Sequence, residues 1–374
     1  MPDVIDLYAG GGGLSLGAAR AGFRVVAAVE NDRHALETHT RNFPQTIHVN
    51  ADVSSFNGDG LLEVAGLRRG ALDGIIGGPP CQGFSFMGHQ RVDDNRNDQF
   101  VEFFRLTGDV QAKFFLAENV PGILDNRYDA LRDRALSYVA DDYDILNPIR
   151  VVASEYGAPT VRTRIFFIGY QRRYFNPLTE EMFDPPDDVT EVYVRDALRG
   201  LPNDIDPDWQ REEQGWQRVR YNRTGYYSDR LAGHIPAGVG DPDTLERYEG
   251  RGQVSGCLGT RHSPEVAARY EALAPGDQDA VSKAVKLAAD GFCPTLRAGT
   301  GRDRGSYQAV RPIQHLRPRV ITPREGARLQ GFPDWFVFHP TKWHSFRQIG
   351  NSVSPLVAEQ LLRVLADNLL DADG

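Results

Sequence analysis

Val4-Ile5-Asp6-Leu7-Tyr8-Ala9-Gly10-Gly11-Gly12-Gly13-Leu14-Ser15 is the stretch whose reading decides the fold. The mostly apolar run predicts a buried strand and the glycines a tight turn. Leu16-Gly17-Ala18-Ala19-Arg20 then predicts a helix that stops at Gly22. Strand, glycine turn and helix in that order make a nucleotide-type ligand site, because glycine lets a ligand approach the backbone closely. An open α/β fold follows, with its chemistry at the carboxyl ends of the strands. The dinucleotide pattern Gly-x-Gly-x-x-Gly fails at both starts: from Gly10 it ends on Ser15, and from Gly11 on Leu16.

Outward from this unit, Phe23-Arg24-Val25-Val26-Ala27-Ala28-Val29 predicts a second strand whose tip is Glu30-Asn31-Asp32. An acid there is placed to accept hydrogen bonds from ribose hydroxyls. Asn50-Ala51-Asp52-Val53 predicts a third tip, with Asp52 a candidate for holding an adenine amino group. Asp73-Gly74-Ile75-Ile76 ends another buried strand and runs into Gly77-Gly78-Pro79-Pro80-Cys81-Gln82-Gly83-Phe84-Ser85. Two glycines turn the backbone and two prolines fix φ, so Cys81 is delivered on a stiff arm as a nucleophile rather than buried as filling. The polar stretch that continues to Asp98 is expected to be a closing lid.

A helix is expected over 99–110, with Phe100, Phe103, Phe104 and Leu106 inward. Lys113-Phe114-Phe115-Leu116-Ala117 is a buried strand leading into Glu118, which emerges at the same edge as Cys81. Residues 143–152 predict one further strand, and 161–169 its returning partner. On that partner Arg162 and Arg164 share a face; they form either a surface ion-pair row or a grip on an anion or a base oxygen.

The 374 residues are enough for two domains or for one with a large insertion, and 41 % hydrophobic with 25 % charged content is that of a globular protein. Cys81, Cys257 and Cys293 form no Cys-x-x-Cys pair, which predicts neither a disulfide framework nor a zinc site and suits a reducing compartment. No signal sequence or membrane-length apolar run is expected. A net charge of −9 argues mildly against nucleic acid, but locally the balance reverses. Residues 171–317 are rich in Pro, Trp and Asp, with helices expected only over 263–273 and 277–289. Arg297, Arg302, Arg304, Arg311, Arg317, Arg319, Arg324, Arg328, Lys342 and Arg347 then face only Asp303, Glu325 and Asp334 in the same stretch. Such an excess predicts either a surface touching phosphates and base edges or a solvated basic face. Thr322-Pro323 opens a capped helix that stops at Gly331, and Gly350-Asn351-Ser352 suggests a ligand-abutting loop before a closing helix over 356–370.

Taken together, these segments resemble the DNA (cytosine-5) methyltransferase family. The resemblance rests on Asp6-Leu7-Tyr8-Ala9-Gly10-Gly11-Gly12-Gly13, Pro79-Pro80-Cys81-Gln82, Glu118-Asn119-Val120 and Arg162-Thr163-Arg164. Arg324-Glu325-Gly326-Ala327-Arg328-Leu329-Gln330 and Gly350-Asn351-Ser352-Val353 complete it, all in the family's order. Two positions depart from the family: Thr160 stands where a Gln is usual, and Tyr8 where a Phe is usual.

The resemblance implies a doubly wound S-adenosylmethionine-dependent methyltransferase fold closed by an antiparallel hairpin. It implies a catalytic part of 1–170 and 345–374 and a smaller target-recognition domain of loops and short strands with its hinge over 171–344. The donor site would comprise Asp6, Leu7, Tyr8, Ala9, Gly10, Gly12, Gly13, Leu14, Glu30, Asn31, Asp52, Val53, Pro79, Asn351 and Val353. Cys81 would add to carbon 6 of a flipped-out cytosine, Glu118 would share a proton with N3, and Arg164 beside Arg162 would hold the base oxygen and the carboxylate. Ser85, Arg96, Arg297, Arg302, Arg304 and Arg311 would touch DNA. No metal is expected. The implied setting is a monomer acting on double-stranded DNA in the cytoplasm of a prokaryotic cell or in a phage, with a cognate restriction endonuclease acting separately and no membrane. An RNA cytosine methyltransferase would have a compact recognition region, which the 171–316 insertion opposes, and intact Cys81, Glu118 and Arg164 oppose a catalytically silent regulator. The Cys–Glu constellation and the failed dinucleotide pattern together exclude a nicotinamide oxidoreductase.

Overall fold

The side chains of β1 (Asp3–Leu7) alternate between two cores: Val4 joins one hydrophobic cluster, Ile5 and Leu7 the other. That alternation requires helices on both faces of the sheet. In the computed structural model, which describes residues 1–80, 98–208, 215–219, 225–298 and 310–370, both faces are covered. The chain continues through α1 (Gly13–Arg20), β2 (Arg24–Val29), α2 (Arg33–Asn42), β3 (Ile47–Val49), α3 (Gly58–Val64), β4 (Gly74–Gly77), α4 (Asp98–Val110), β5 (Phe114–Asn119) and α5 (Asp129–Leu136). The short strands β6 (Asp144–Ile145) and β7 (Ile149–Val152) precede β8 (Thr163–Tyr170).

The sheet order is β3-β2-β1-β4-β5-β8, with β6 and β7 both paired to β8. The first five strands are parallel, and β8 runs antiparallel to β5, β6 and β7. Strand order reverses between β1 and β4, where Leu7 is in register with Gly77 and Gly77 with Ala117. The carboxyl ends of β1, β4 and β5 therefore open onto one crevice, where open α/β sheets bind ligands.

Beyond β8 come α6 (Val194–Leu198), β9 (Gln217–Arg218), α7 (Tyr226–Ala232), α8 (Pro242–Arg251), β10 (Gln253–Val254) and α9 (Pro264–Ala272). The chain closes with α10 (Pro323–Leu329), α11 (Lys342–Asn351) and α12 (Pro355–Asn368). α12 packs on α1 at a separation only glycine permits: a Cβ on Gly17 would lie 2.2 Å from Cβ of Ala358. Phe332, Trp335 and Phe336 are buried in the same cluster as Val4 and Leu16, and Asn42 of α2 donates to the Val337 carbonyl at 2.8 Å.

Four local expectations are corrected. Residues 143–152 form two strands, because Pro148 has no amide to pair and the Asn147 amide bonds Glu180 at 2.8 Å. Residues 277–289 are turns and bridges rather than a helix. Asp279 turns its carboxylate to Arg269 and the Ser282 amide, Lys283 takes φ 61°, and Gln278 bridges Val285. The helices α6, α7 and α8 were not expected. Of these α8 carries ordinary signals, with Asp241 as N-cap, Pro242 in the first turn and Gly252 left-handed at the stop. Gly350 and Asn351 belong to the last turn of α11, not to a loop, and the closing helix starts after Ser354. The α10 reading holds: the Thr322 side chain accepts from the Glu325 amide, and Glu325 accepts from that of Thr322.

Candidate active site

The turn after β1 is wound left-handed at three positions: Tyr8 at φ 61°, Gly10 at 55° and Gly12 at 93°. A Cβ on Gly12 would meet the Phe43 ring at 2.6 Å, so glycine is required there twice over. Glu30, at the end of β2, fastens this turn: Gly10 N–H donates to Oε2 at 2.9 Å and Asp32 N–H to Oε1 at 2.7 Å. Burial raises the Glu30 carboxyl, while these backbone donors pull it back.

Beneath the turn, Asp6 accepts from Ser15 Oγ at 2.6 Å, and its Oδ1 has no partner among the described residues. Burial pushes Asp6 up to about 7. Ser15 Oγ lies 2.9 Å from His39 Nε2, whose Nδ1 lies 2.8 Å from His48. Burial, and then the neighbouring His48, hold His39 well below the usual histidine range. No sequence signal marked this chain of polar groups, since buried and exposed histidines look alike in a helix.

Asp52 stands at the rim and accepts from Ser54 N–H at 2.9 Å and from Gln99 Nε2 at 3.1 Å. Tyr8 in turn places its hydroxyl 2.9 Å from both the Gln99 carbonyl and Oε1. The hydroxyl that a Phe would lack thus links the glycine turn to the first turn of α4. Asn31 is exposed, whereas Leu7, Ala9, Leu14, Val53, Pro79 and Val353 are buried. The Val353 carbonyl would lie 2.3 Å from a Cβ on Gly13, so the residues before α12 press on the start of α1.

Glu118 is the penultimate residue of β5, and its Oε1 is 2.5 Å from Arg164 Nε. Glu118 Oε2 lies 3.0 Å from where a Gly78 Cβ would be, and Asn119 Nδ2 donates to the Pro79 carbonyl at 3.3 Å. The carboxylate–arginine pair thus stands against the arm that leads to Cys81. Arg162, just before β8, goes elsewhere: it is buried and donates to the carbonyls of Leu296 at 3.2 Å and Asn351 at 3.4 Å. Thr160 is fully buried, with no partner for Oγ1 among the described residues. Cys81, Ser85, Arg96, Arg302, Arg304 and all of the lid expected over 82–98 but Asp98, which opens α4, lie outside the described residues. The other cysteines are buried, and burial pushes the Cys257 thiol up to about 12 and that of Cys293 upward too.

Within the basic stretch, Arg319, Arg324 and Arg328 belong to neither of the two surfaces expected of it. Arg324 is buried and donates to the carbonyls of Ser255, Pro333 and Phe336. Arg319 and Arg328 are buried against Glu325 and Asp334, at 2.8 and 2.6 Å. Arg317 and Arg347 pair with Asp204 and Asp32. Arg297 is exposed, and Arg311 stacks on the Phe346 ring at 4.2 Å, its guanidinium pushed down to about 10 by burial. Lys342, pushed down to about 8 by burial and by Arg311, lies beside it.

The architecture is that of methyltransferases. A solved structure of a candidate DNA modification methyltransferase encoded within an E. coli prophage is 49 % identical, with 98 % of this chain and 99 % of that one covered and a TM-score of 0.89. S. pombe Dnmt2, at 15 % identity and a TM-score of 0.61 over 98 % of this chain and 99 % of that one, shares the fold. Residues 3–367 match the C-5 cytosine-specific DNA methylase family, and the chain belongs to it. Among curated relatives, the type II methyltransferase M.XorII of Xanthomonas oryzae is 39 % identical over 96 % of this chain and 82 % of that protein. M.DdeI of Desulfomicrobium norvegicum is 30 % identical over 96 % and 87 %. The protein is a DNA cytosine C-5 methyltransferase of the restriction–modification type. No described helix is long and apolar enough to cross a membrane.

Proposed function

We propose that the chain transfers a methyl group from S-adenosylmethionine to carbon 5 of a cytosine flipped out of double-stranded DNA, through a covalent adduct on Cys81. The observation that carries this reading is the Glu118–Arg164 pair, at 2.5 Å, against the Gly78-Pro79-Pro80 arm. The crevice fits the donor: a Gly10 Cβ would find nothing nearer than 3.9 Å, and Asp6 Oδ1 is buried and unpartnered among the described residues. Glu30 and Asp52 would take the donor's ribose and adenine, with the Tyr8–Gly13 turn and Val353 around them. When bound, that donor supplies an electrophilic methyl group on a sulfonium.

Carbon 5 of cytosine is too weak a nucleophile to take this methyl unaided. The Cys81 thiolate adds to carbon 6, the ring loses aromaticity, and electron density moves to carbon 5. Glu118 holds a proton at N3, which stabilises the adduct. Arg164 keeps the Glu118 carboxylate in position as its ion-pair partner and can reach the base oxygen. Arg162 acts from behind, tying β8 to the ends of the neighbouring segments. After transfer, loss of the carbon 5 proton expels Cys81 and restores the ring. Ring faces are hidden in a duplex, so the base is extruded first. Residues 171–344 would read the sequence, with Ser85, Arg96, Arg297, Arg302, Arg304 and Arg311 at the DNA. The enzyme would act as a cytoplasmic monomer in a prokaryotic cell or phage, with any restriction endonuclease separate.

A duplex carrying 5-fluorocytosine tests this, because fluorine at carbon 5 blocks the final elimination and traps the adduct. Wild type with donor is expected to give a denaturation-resistant protein–DNA complex; Cys81→Ser gives none while still binding the donor. A Cys81→Ser protein that still methylates DNA overturns the covalent route.

A further inference from the structure

Three histidines outside the crevice converge where α2 meets α11. His34 lies in the first turn of α2, His339 just before α11 and His344 in its first turn. Their ring centroids are 3.9 Å apart for His34 and His344, 4.5 Å for His339 and His344, and 4.9 Å for His34 and His339. One ring nitrogen from each lies within 4.8 Å of the others, and all three residues are half-buried. His34 Nδ1 is buried with no hydrogen-bond partner among the described residues, and a Glu37 carboxylate oxygen is 3.6 Å away. Three imidazoles stacked this closely cannot all be protonated without repulsion, and nothing in the methyl-transfer chemistry uses them. Burial, and then their mutual proximity, push His344 down to about 4 and lower His339, so these rings keep lone pairs at neutral pH.

We propose that His34, His339 and His344 form a binding site for one divalent transition-metal ion of the zinc class, fastening α2 to α11. Imidazole suits zinc, nickel, cobalt and copper, and three histidines leave a further position for water or for Glu37. Nitrogens around a tetrahedral ion lie about 3.4 Å apart at bond lengths of about 2.1 Å, so the rings close in by small side-chain rotations. His339 Nδ1 accepts from the Thr341 amide at 3.0 Å, so ligation through Nε2 moves the ring proton to Nδ1 and gives up that bond. The two helices are already in contact here, through Gln348 Nε2 to the His34 carbonyl at 2.9 Å and Arg347 to Asp32 at 2.7 Å. The ion would lock a junction that begins two residues after Asp32 and four after Glu30, next to the donor's rim.

The test is calorimetric titration of the untagged, chelator-stripped full chain with Zn²⁺, and with Co²⁺ for its visible spectrum. One ion per chain is expected, with a nitrogen–oxygen cobalt spectrum and a higher melting temperature. Each of His34→Gln, His339→Gln and His344→Gln should weaken binding by about tenfold or more, whereas His234→Gln, outside the cluster, leaves it unchanged. Circular dichroism of the ion-free variants shows which are folded. If none folds, the wild-type cobalt spectrum decides, and thiolate bands or no binding overturn the proposal. Folded variants that bind like the wild type also overturn it.

Discussion

Arg164 and Arg324 show how differently one side chain is used in two regions of this molecule. At the carboxyl edge of the sheet, Arg164 meets Glu118, on the same edge that carries Glu30 after β2 and Asp52 after β3. In the arginine-rich stretch 297–347, Arg324 is spent inward on three backbone carbonyls, and Arg319 and Arg328 on buried acids. Strand ends bring functional groups together because the sheet's register leaves them no other place. A run of cations carries no such constraint, so its partners can come from anywhere, as Asp204 and Asp32 do.

The largest effect expected is at the edge. Glu118→Gln should slow methyl transfer by roughly 10²–10⁴-fold, the usual contribution of a positioned acid or base, while calorimetry shows donor affinity retained. A variant as fast as wild type would put the Glu118–Arg164 pair in the same structural class as the buried arginine pairs.

Next comes Arg328→Ala, which strands Asp334 in the core. Loss of a buried partner costs about 3–5 kcal/mol, to be read from urea denaturation. Unchanged stability with weakened DNA binding would erase the contrast between the two regions.

Asp6 sharpens it from the other side, because its acid is buried without an arginine. Its native pKa of about 7 lies above the ordinary 3.8, so the native state binds the extra proton and wild-type stability falls as pH rises through that window. The slope from this group approaches about 1.4 kcal/mol per pH unit. Asp6→Asn should remove it, giving a variant that gains on wild type between pH 5 and pH 7 in donor-free urea titrations. A difference between the two proteins that stays constant over that range would show that Asp6 does not titrate there.

The smallest effect separates the remaining arginines. Arg311→Ala should lower the salt slope of DNA binding by about one unit, whereas Arg317, already neutralised by Asp204, should leave it unchanged. Equal behaviour of the two would remove Arg311 from the DNA-facing set.

What the sequence made legible follows the same division. The strand ends at Tyr8, Glu30 and Glu118 were readable because apolar runs stop at them, and a stopped run marks the edge of a sheet. The α10 cap was readable because capping chemistry is local to Thr322, Pro323 and Glu325. Arg162 was not, since its partners at Leu296 and Asn351 are distant in sequence. Residues 277–289 misled because apolar spacing was met there by an Asp279 side chain that outcompetes the helix. The α8 signals at Asp241, Pro242 and Gly252 were present but lay inside a segment whose texture suggested loops.

The contact between Gly17 and Ala358 has a consequence for how the enzyme is made. α1, which carries the glycine turn at its start, leaves the ribosome long before α12, the helix that seals its apolar face. Until α12 emerges, Gly17 and its neighbours lack their partner on that side, so this face of the sheet stays uncovered. Activity therefore waits on α12, and a chain truncated before it exposes a sticky face instead of retaining partial function.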